Sequence, residues 1–286
     1  MLSPQQKIDL FLSLFKGRPD VFAQYWEKAD KSTKGYAPVC LNEWKVGVCY
    51  KKEHKKCKDC PNREFAFFNG TYLDQHLRGY KAYGIYPLLE DNTSYLLAVD
   101  FDGDKWQTDA VKFIKQCTKY KLPAYLEKSR SGQGAHVWLF FENNYPAYKS
   151  RNIIVNILKE AEIIDQFEKD DSFDRLIPNQ DSLSGQGFGN LIALPLQGEL
   201  RKLENTVFLN IDNLQPYSDQ WQILQNIQKI AVEQLDEIYV KFNNNDTSNK
   251  NTASKKINII IKNSLLIKKD NLPKKLVNFL KDNLNF

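Results

Sequence analysis

The chain has 286 residues, a formal net charge of +5, 42% apolar content and 13% aromatics. That supply of apolar side chains can build one large core or two ordinary ones and excludes a disordered chain. No run approaches ~18 consecutive apolar residues, which excludes a membrane-spanning helix, and no secretory leader pattern opens the chain, so a cytoplasmic protein with no membrane partner is expected. Lysine is locally dense at 51–58 and 255–281, which suits a polyanionic partner and equally suits a solvated face.

In chain order, Ser3-Pro4 predicts the start of a helix over about 4–15, with Ile8, Leu10, Phe11, Leu14 and Phe15 on its apolar side. Residues 17–39 are aromatic but broken by Gly17, Pro19, Gly35 and Pro38, and read as irregular but ordered. Four of the five cysteines, Cys40, Cys49, Cys57 and Cys60, then fall within 36–65. In a cytoplasmic chain such a cluster predicts a structural zinc site, because thiolates are soft ligands and Cys57-x2-Cys60 is a knuckle. Only one knuckle is present, and His54 is a possible substitute ligand or a solvated residue.

Gly84–Leu89 reads as a strand whose turn, Glu90–Thr93, makes a hairpin with the strand Tyr95–Val99. Helical spacing of Ala110, Phe113, Ile114 and Cys117 predicts a helix over 106–120 and places Cys117 in the core. A strand at about 123–128, a glycine-rich turn at 129–136 and a strand at 137–141 follow, then a helix over about 146–162. This succession predicts an α+β fold, an α/β sandwich. Downstream lie an acidic stretch, 170–181, a second Ser-Gly-Gln-Gly turn at 184–187, a strand at 191–196 and a helix from near Ser218 past Ile230. A domain over 1–240, an Asn-rich linker over 241–255 and a Lys-rich tail over 256–286 complete the expected organisation.

The strand ending Val99-Asp100-Phe101-Asp102 carries the first chemical signal. Side chains alternate along a strand, so Asp100 and Asp102 share a side while Phe101 turns to the core. Two like charges so placed are relieved by a divalent cation, although a solvated acidic turn also accommodates them. The turn Ser129–His136 supplies the second signal: Gly132 and Gly134 let backbone approach an anion, and Ser131, Arg130, Lys128 and His136 can donate to phosphate. The third is a later carboxylate, Asp174 or Asp181, on either side of a short apolar strand; the sequence does not choose between them.

Val-Asp-Phe-Asp at 99–102, Ser-Gly-Gln-Gly-Ala-His-Val-Trp at 131–138, the upstream cysteines, 174–181 and 188–197 together resemble the archaeo-eukaryotic primase superfamily, more narrowly the primase-polymerase domain of TOTE conflict systems. The likeness covers about residues 18–225. It implies an RRM-like palm with a small zinc-binding insertion, and DNA-dependent nucleotidyl transfer using two Mg2+ or Mn2+ ions. It also implies dNTP or NTP substrates, a single-stranded or primed template, and a helicase domain or subunit as partner. Two other readings compete. One is a non-catalytic zinc-containing nucleic-acid-binding module. The other is a haloacid-dehalogenase-like phosphatase, which wants Thr or Ser where Asp104 stands.

Overall fold

The computed structural model of the chain describes residues 2–53, 57, 60–164, 172–185 and 187–244. The chain divides into two units, 1–239 and 240–286, and the elements below belong to the first. Helix α1 (Pro4–Leu14) begins with a reciprocal capping box: the Gln6 N–H donates to the Ser3 hydroxyl, and the Ser3 N–H donates to the Gln6 side chain. Pro4 fills the first turn, where its missing donor costs nothing.

Residues 17–39, expected to be irregular, contain an antiparallel hairpin, β1 (Phe22–Glu27) and β2 (Lys34–Pro38). Gly35 and Pro38 suggested a break, but both lie in β2, a strand at the edge of its sheet, where such residues are tolerated. Tyr25 faces Tyr36 across the hairpin with ring centroids 5.5 Å apart, so aromatic pairing takes the place of apolar alternation.

Helix α2 (Gly70–Leu77) leads to β3 (Tyr83–Ile85). The expected hairpin between this strand and β4 (Thr93–Phe101) does not form. Instead β3 pairs with β1 and with β8 (Ile192–Ala193), while β4 lies in a second sheet. The expected turn does form, with the Asn92 N–H donating to the Leu89 carbonyl and the Leu89 N–H to the Thr93 carbonyl, but the stretch before it, with Leu88 fully buried, crosses from one sheet to the other, so the turn does not close a hairpin.

The second sheet combines β4 with β5 (Tyr125–Lys128), β6 (Ala135–Pro146) and β7 (Phe173–Ile177), in the order β5-β6-β4-β7. Helix α3 (Trp106–Lys119) connects β4 to β5, and α4 (Ala147–Glu160) connects β6 to β7. Every neighbouring pair is antiparallel. The result is the βαββαβ order of ferredoxin-like folds, in which a helix crosses between two parallel strands separated by a third. The fold is α+β, with two antiparallel sheets.

Register sorts the side chains of this sheet onto two faces. Leu97, Val99 and Phe101 share one with Val137 and Leu139, and the Phe101 ring meets Phe113 of α3 at 6.0 Å. Phe101 and Phe113 are fully buried; truncating either to Ala costs about 3–5 kcal/mol. The opposite face pairs Leu96 with Phe140, Ala98 with Trp138 and Asp100 with His136. Phe15, just beyond α1, packs edge-on against Trp138 at 5.1 Å and Phe140 at 5.4 Å. The apolar half of that face is thus covered, and its other end carries Asp100 and His136.

Beyond β7, the second Ser-Gly-Gln-Gly segment is not a hairpin turn, because the strands it joins, β7 and β8, belong to different sheets. Two short helices follow, α5 (Gly198–Arg201) and α6 (Gln220–Gln225). The helix expected to run past Ile230 stops at Gln225, since the Ile230 backbone is bonded to β6 instead: its N–H donates to the Phe140 carbonyl and its carbonyl accepts from Glu142. Residues 232–239 end the first unit as helix, and 240–244 of the second unit are helical too, at the start of the expected linker. The remainder of that linker and the Lys-rich tail lie outside the described residues. Among the described residues, no helix is long and apolar enough to cross a membrane.

Candidate active site

The end of β4 brings three carboxylates together. Oxygens of Asp100, Asp102 and Asp174 all lie within 4.8 Å of one another. Asp100 is fixed on the central strand, opposite His136 on one side and Arg175 on the other. Phe101, locked in the core, keeps its two acidic neighbours on the opposite side, and the Asp102 N–H donates to the Ser172 carbonyl at 2.7 Å.

Asp174 reaches this group through a β-bulge. Asp100 pairs with Arg175, but Phe101 pairs with Phe173, which leaves Asp174 as the extra residue. Regular alternation would send Asp174 and Arg175 to opposite faces; the bulge re-aims the carboxylate so that both serve the same end of the sheet. Arg175 forms an ion pair with Asp174, and its Nε lies 3.8 Å from Asp100 Oδ2. Asp181 lies elsewhere, paired with Arg151, and is not one of the three.

Burial raises the Asp100 carboxyl to a pKa of about 6. His136 and Arg175 pull it down, while Asp102 and Asp174 push it further up. A cluster so arranged holds more negative charge than its protein surroundings neutralise. Carboxylate oxygens are hard ligands, so the set fits Mg2+ or Mn2+.

His136 is held from behind by a residue that the sequence reading passed over. Glu127 on β5 is 1% exposed and lies opposite His136 in the sheet; its Oε2 is 2.6 Å from His136 Nδ1 and accepts from Trp138 Nε1 at 3.2 Å. The other imidazole nitrogen, Nε2, stands 3.6 Å from Asp100 Oδ1. Burial alone would lower the His136 pKa, but Glu127, then Asp100 and Asp102, outweigh it and lift it to about 9. Nδ1–H therefore points to Glu127 and Nε2–H to the carboxylates. The available signal for Glu127 was an acidic residue inside a strand that is otherwise buried.

The glycine-rich turn closes the other side of an open cleft. Ser131 and Gln133 line it together with Asp102, Gly103, Asp104, Trp106 and Gln107. The turn is tied internally: the Ser129 N–H donates to the Gly134 carbonyl, the Gly132 N–H to the Ser129 carbonyl, and the Gln133 N–H to the Ser131 hydroxyl. Gly132 has φ +75° and faces the Asn205 side chain, where a Cβ would stand 2.7 Å from Oδ1. The Arg130 guanidinium lies 3.6 Å from the centroid of the Tyr25 ring, which fixes it between the two sheets. Lys128 is joined by its backbone to residues 206 and 207, which run beside β5 and cover its edge.

Cys40, Cys49, Cys57 and Cys60 line a single cavity and none is in a disulfide. Cys40 Sγ accepts a hydrogen bond from the Glu64 N–H at 3.4 Å. Among the described residues the four thiols do not approach one another as closely as the three carboxylates do. His54, the other candidate ligand, lies outside the described residues. Cys117 is fully buried in α3, as its helical spacing predicts.

The sequence matches the family described as the archaeo-eukaryotic primase domain of TOTE conflict systems over residues 6–238. The chain belongs to that family. Among solved structures, this primase-family domain is similar to the polymerase domain of Mycobacterium tuberculosis Ligase D in complex with DNA, at 11% identity and a TM-score of 0.38, over 85% of this chain and 89% of that one. A search of curated proteins returns no match. Membership of the primase family supports a nucleotidyltransferase-type function for the domain.

Proposed function

We propose that this primase-family domain adds nucleotides from dNTP or NTP to the 3′-hydroxyl of a strand paired with a nucleic-acid template, and that it also starts such strands on an unprimed template. The observation that carries this reading is the meeting of Asp100, Asp102 and Asp174 at one end of β4, where Asp102 lines one cleft together with Ser131 and Gln133 of the glycine-rich turn. Asp100, Asp102 and Asp174 are the residues that would hold two Mg2+ or Mn2+ ions. Such ions, when bound, stabilise the attacking and leaving oxygens of an in-line phosphoryl transfer.

The remaining roles fall to the chain's own groups. Ser131, Gly132 and Gly134 shape the anion-binding turn, with Arg130 and Lys128 as cations on the same hairpin. His136 directs Nε2–H toward the carboxylate end of β4, where the triphosphate would lie, and Glu127 keeps the ring in that orientation. Arg175 offsets charge among the carboxylates and orients Asp174. Asp181 is left as a surface partner of Arg151.

The cysteine segment fits a structural zinc ion, since four thiols line one cavity and a backbone N–H already supports Cys40. The partners of this reading are a single-stranded or primed template and, by family resemblance, a helicase domain or subunit; its setting is the cytoplasm.

The test is primer extension, together with synthesis on an unprimed single strand, in Mg2+ or Mn2+ with dNTPs or NTPs. Wild-type chain is expected to incorporate nucleotides and Asp100→Ala to lose that activity. No incorporation by wild type under any of these conditions, or equal incorporation by Asp100→Ala, overturns the proposal. Metal analysis of purified chain is expected to return about one zinc per chain.

A further inference from the structure

The glycine-rich turn is backed by a segment that the chemistry above does not use. Asn205 Nδ2 donates to the Arg130 carbonyl at 3.4 Å, and the same amide lies against Gly132, where a Cβ would come within 2.7 Å of Oδ1, 3.1 Å of Nδ2 and 3.2 Å of Cγ. Ser131 and Gln133 line the cleft that holds Asp102, whereas Asn205 does not. Its contact is with the backbone of the turn.

The backbone that carries Asn205 is held under strain. Its two neighbours, Glu204 and Thr206, both have φ +57°, a left-handed conformation that is uncommon outside glycine and worst for a β-branched residue such as Thr206. Thr206 is 2% exposed, and its hydroxyl has no hydrogen-bond partner among the described residues. Strain of this kind persists only where the surroundings impose it, and it gathers at functional sites. Here the surroundings are backbone bonds: the Thr206 N–H donates to the Lys128 carbonyl, the Lys128 N–H to the Val207 carbonyl and the Asn205 N–H to the Leu200 carbonyl. Asn205 is therefore presented to the turn from a backbone fixed on both sides.

Glycine has the widest conformational choice of any residue, so a turn built on Gly132 binds an anion best when something holds it in one shape beforehand. We propose that Asn205 is a positioning residue for the glycine-rich turn: its amide, packed on Gly132 and bonded to the Arg130 carbonyl, keeps the turn in the shape that receives a triphosphate. That the triphosphate belongs to an incoming nucleotide rests on the polymerase reading; the hold of Asn205 on an anion-binding turn does not.

The test is calorimetric binding of inorganic tripolyphosphate, with Mg2+, to the full chain, followed by KM and kcat for the nucleotide in primer extension. Asn205→Ala is expected to weaken tripolyphosphate binding about tenfold and to raise KM by the same factor, with kcat within about threefold and the thermal midpoint near that of wild type. Gly132→Ala pushes the same amide away, so the double variant should lose little more than the worse single variant rather than the product of the two. Should Asn205→Ala not fold, Asn205→Ser reads the same loss, its hydroxyl being too short to reach the Arg130 carbonyl. Unchanged tripolyphosphate affinity in a folded Asn205 variant, multiplicative losses in the double variant, or no tripolyphosphate binding by wild type overturns the proposal. If wild type incorporates no nucleotide but binds tripolyphosphate, and the Asn205 variants bind it more weakly, the positioning role stands and the polymerase reading alone falls.

Discussion

A Cβ built on Gly134 would lie 2.2 Å from Oδ1 of Asp102 and 2.5 Å from the Phe101 carbonyl oxygen. The glycine-rich turn therefore rests directly on the acidic end of β4, with no room for a side chain between them. Gly134→Ala must push the carboxylate or the turn aside. A displacement of about 1 Å at a reacting centre costs about 10²-fold, so nucleotide incorporation should fall by that order while far-UV circular dichroism stays that of the folded chain. Primer extension by a folded Gly134→Ala variant at the wild-type rate would break the link between turn and carboxylates.

The three carboxylates should separate cleanly from the fourth. Asp102→Ala and Asp174→Ala are each expected to reduce incorporation by at least about 10³-fold if they hold the ions, and to weaken Mn2+ binding measured by calorimetry. Asp181→Ala should remain within about threefold on both readouts, because only a surface ion pair is lost.

Glu127→Gln keeps the shape of the side chain and removes its charge. His136 then loses the partner that raises its pKa and fixes Nδ1–H. The expected result is a rise of about tenfold in KM for the nucleotide, with a smaller change in kcat, if His136 binds triphosphate. A purely structural role for Glu127 would lower the thermal midpoint and leave KM unmoved.

His76 gives the fold a measurable pH dependence away from the carboxylates. It is 1% exposed; Nδ1 accepts from the Tyr83 N–H at 3.1 Å, so Nε2–H donates to the Pro195 carbonyl at 2.9 Å. Burial lowers its pKa to about 4 from an ordinary 6.5. The unfolded chain binds this proton first as the pH falls, so the stabilisation is fully present above pH 6.5 and is lost between about 6.5 and 4. Its size is on the order of 3 kcal/mol. His76→Gln should flatten the slope of urea-unfolding stability over that window; an unchanged slope would rule out His76 as its source.

What could be read in the sequence was local. Asp100 and Asp102 are two residues apart on one strand, and Ser131 through His136 form one turn, so alternation and turn chemistry suffice to group them. The helices carrying Phe113 and Ile153 also follow from spacing alone. Long-range pairing decided the rest. Whether Asp174 or Asp181 joins Asp100 depends on a bulge in β7, and the partner of His136 comes from β5, across the hairpin. The hairpin of β1 and β2 escaped notice because tyrosine pairing holds it and its edge strand tolerates Gly35 and Pro38. The supposed hairpin before β4 has its turn, yet Leu88 is buried along a crossing between sheets.

The bulge also means that the carboxylate cluster depends on a count of residues as well as on their identity. Deleting one residue between Ser172 and Asp174 would restore an unbroken ladder to β4, with every aspartate retained. The acidic side chain would then be presented to the helix-covered face. Related chains can therefore conserve all three aspartates in an alignment and still differ in whether they assemble, according to the length of this one short strand.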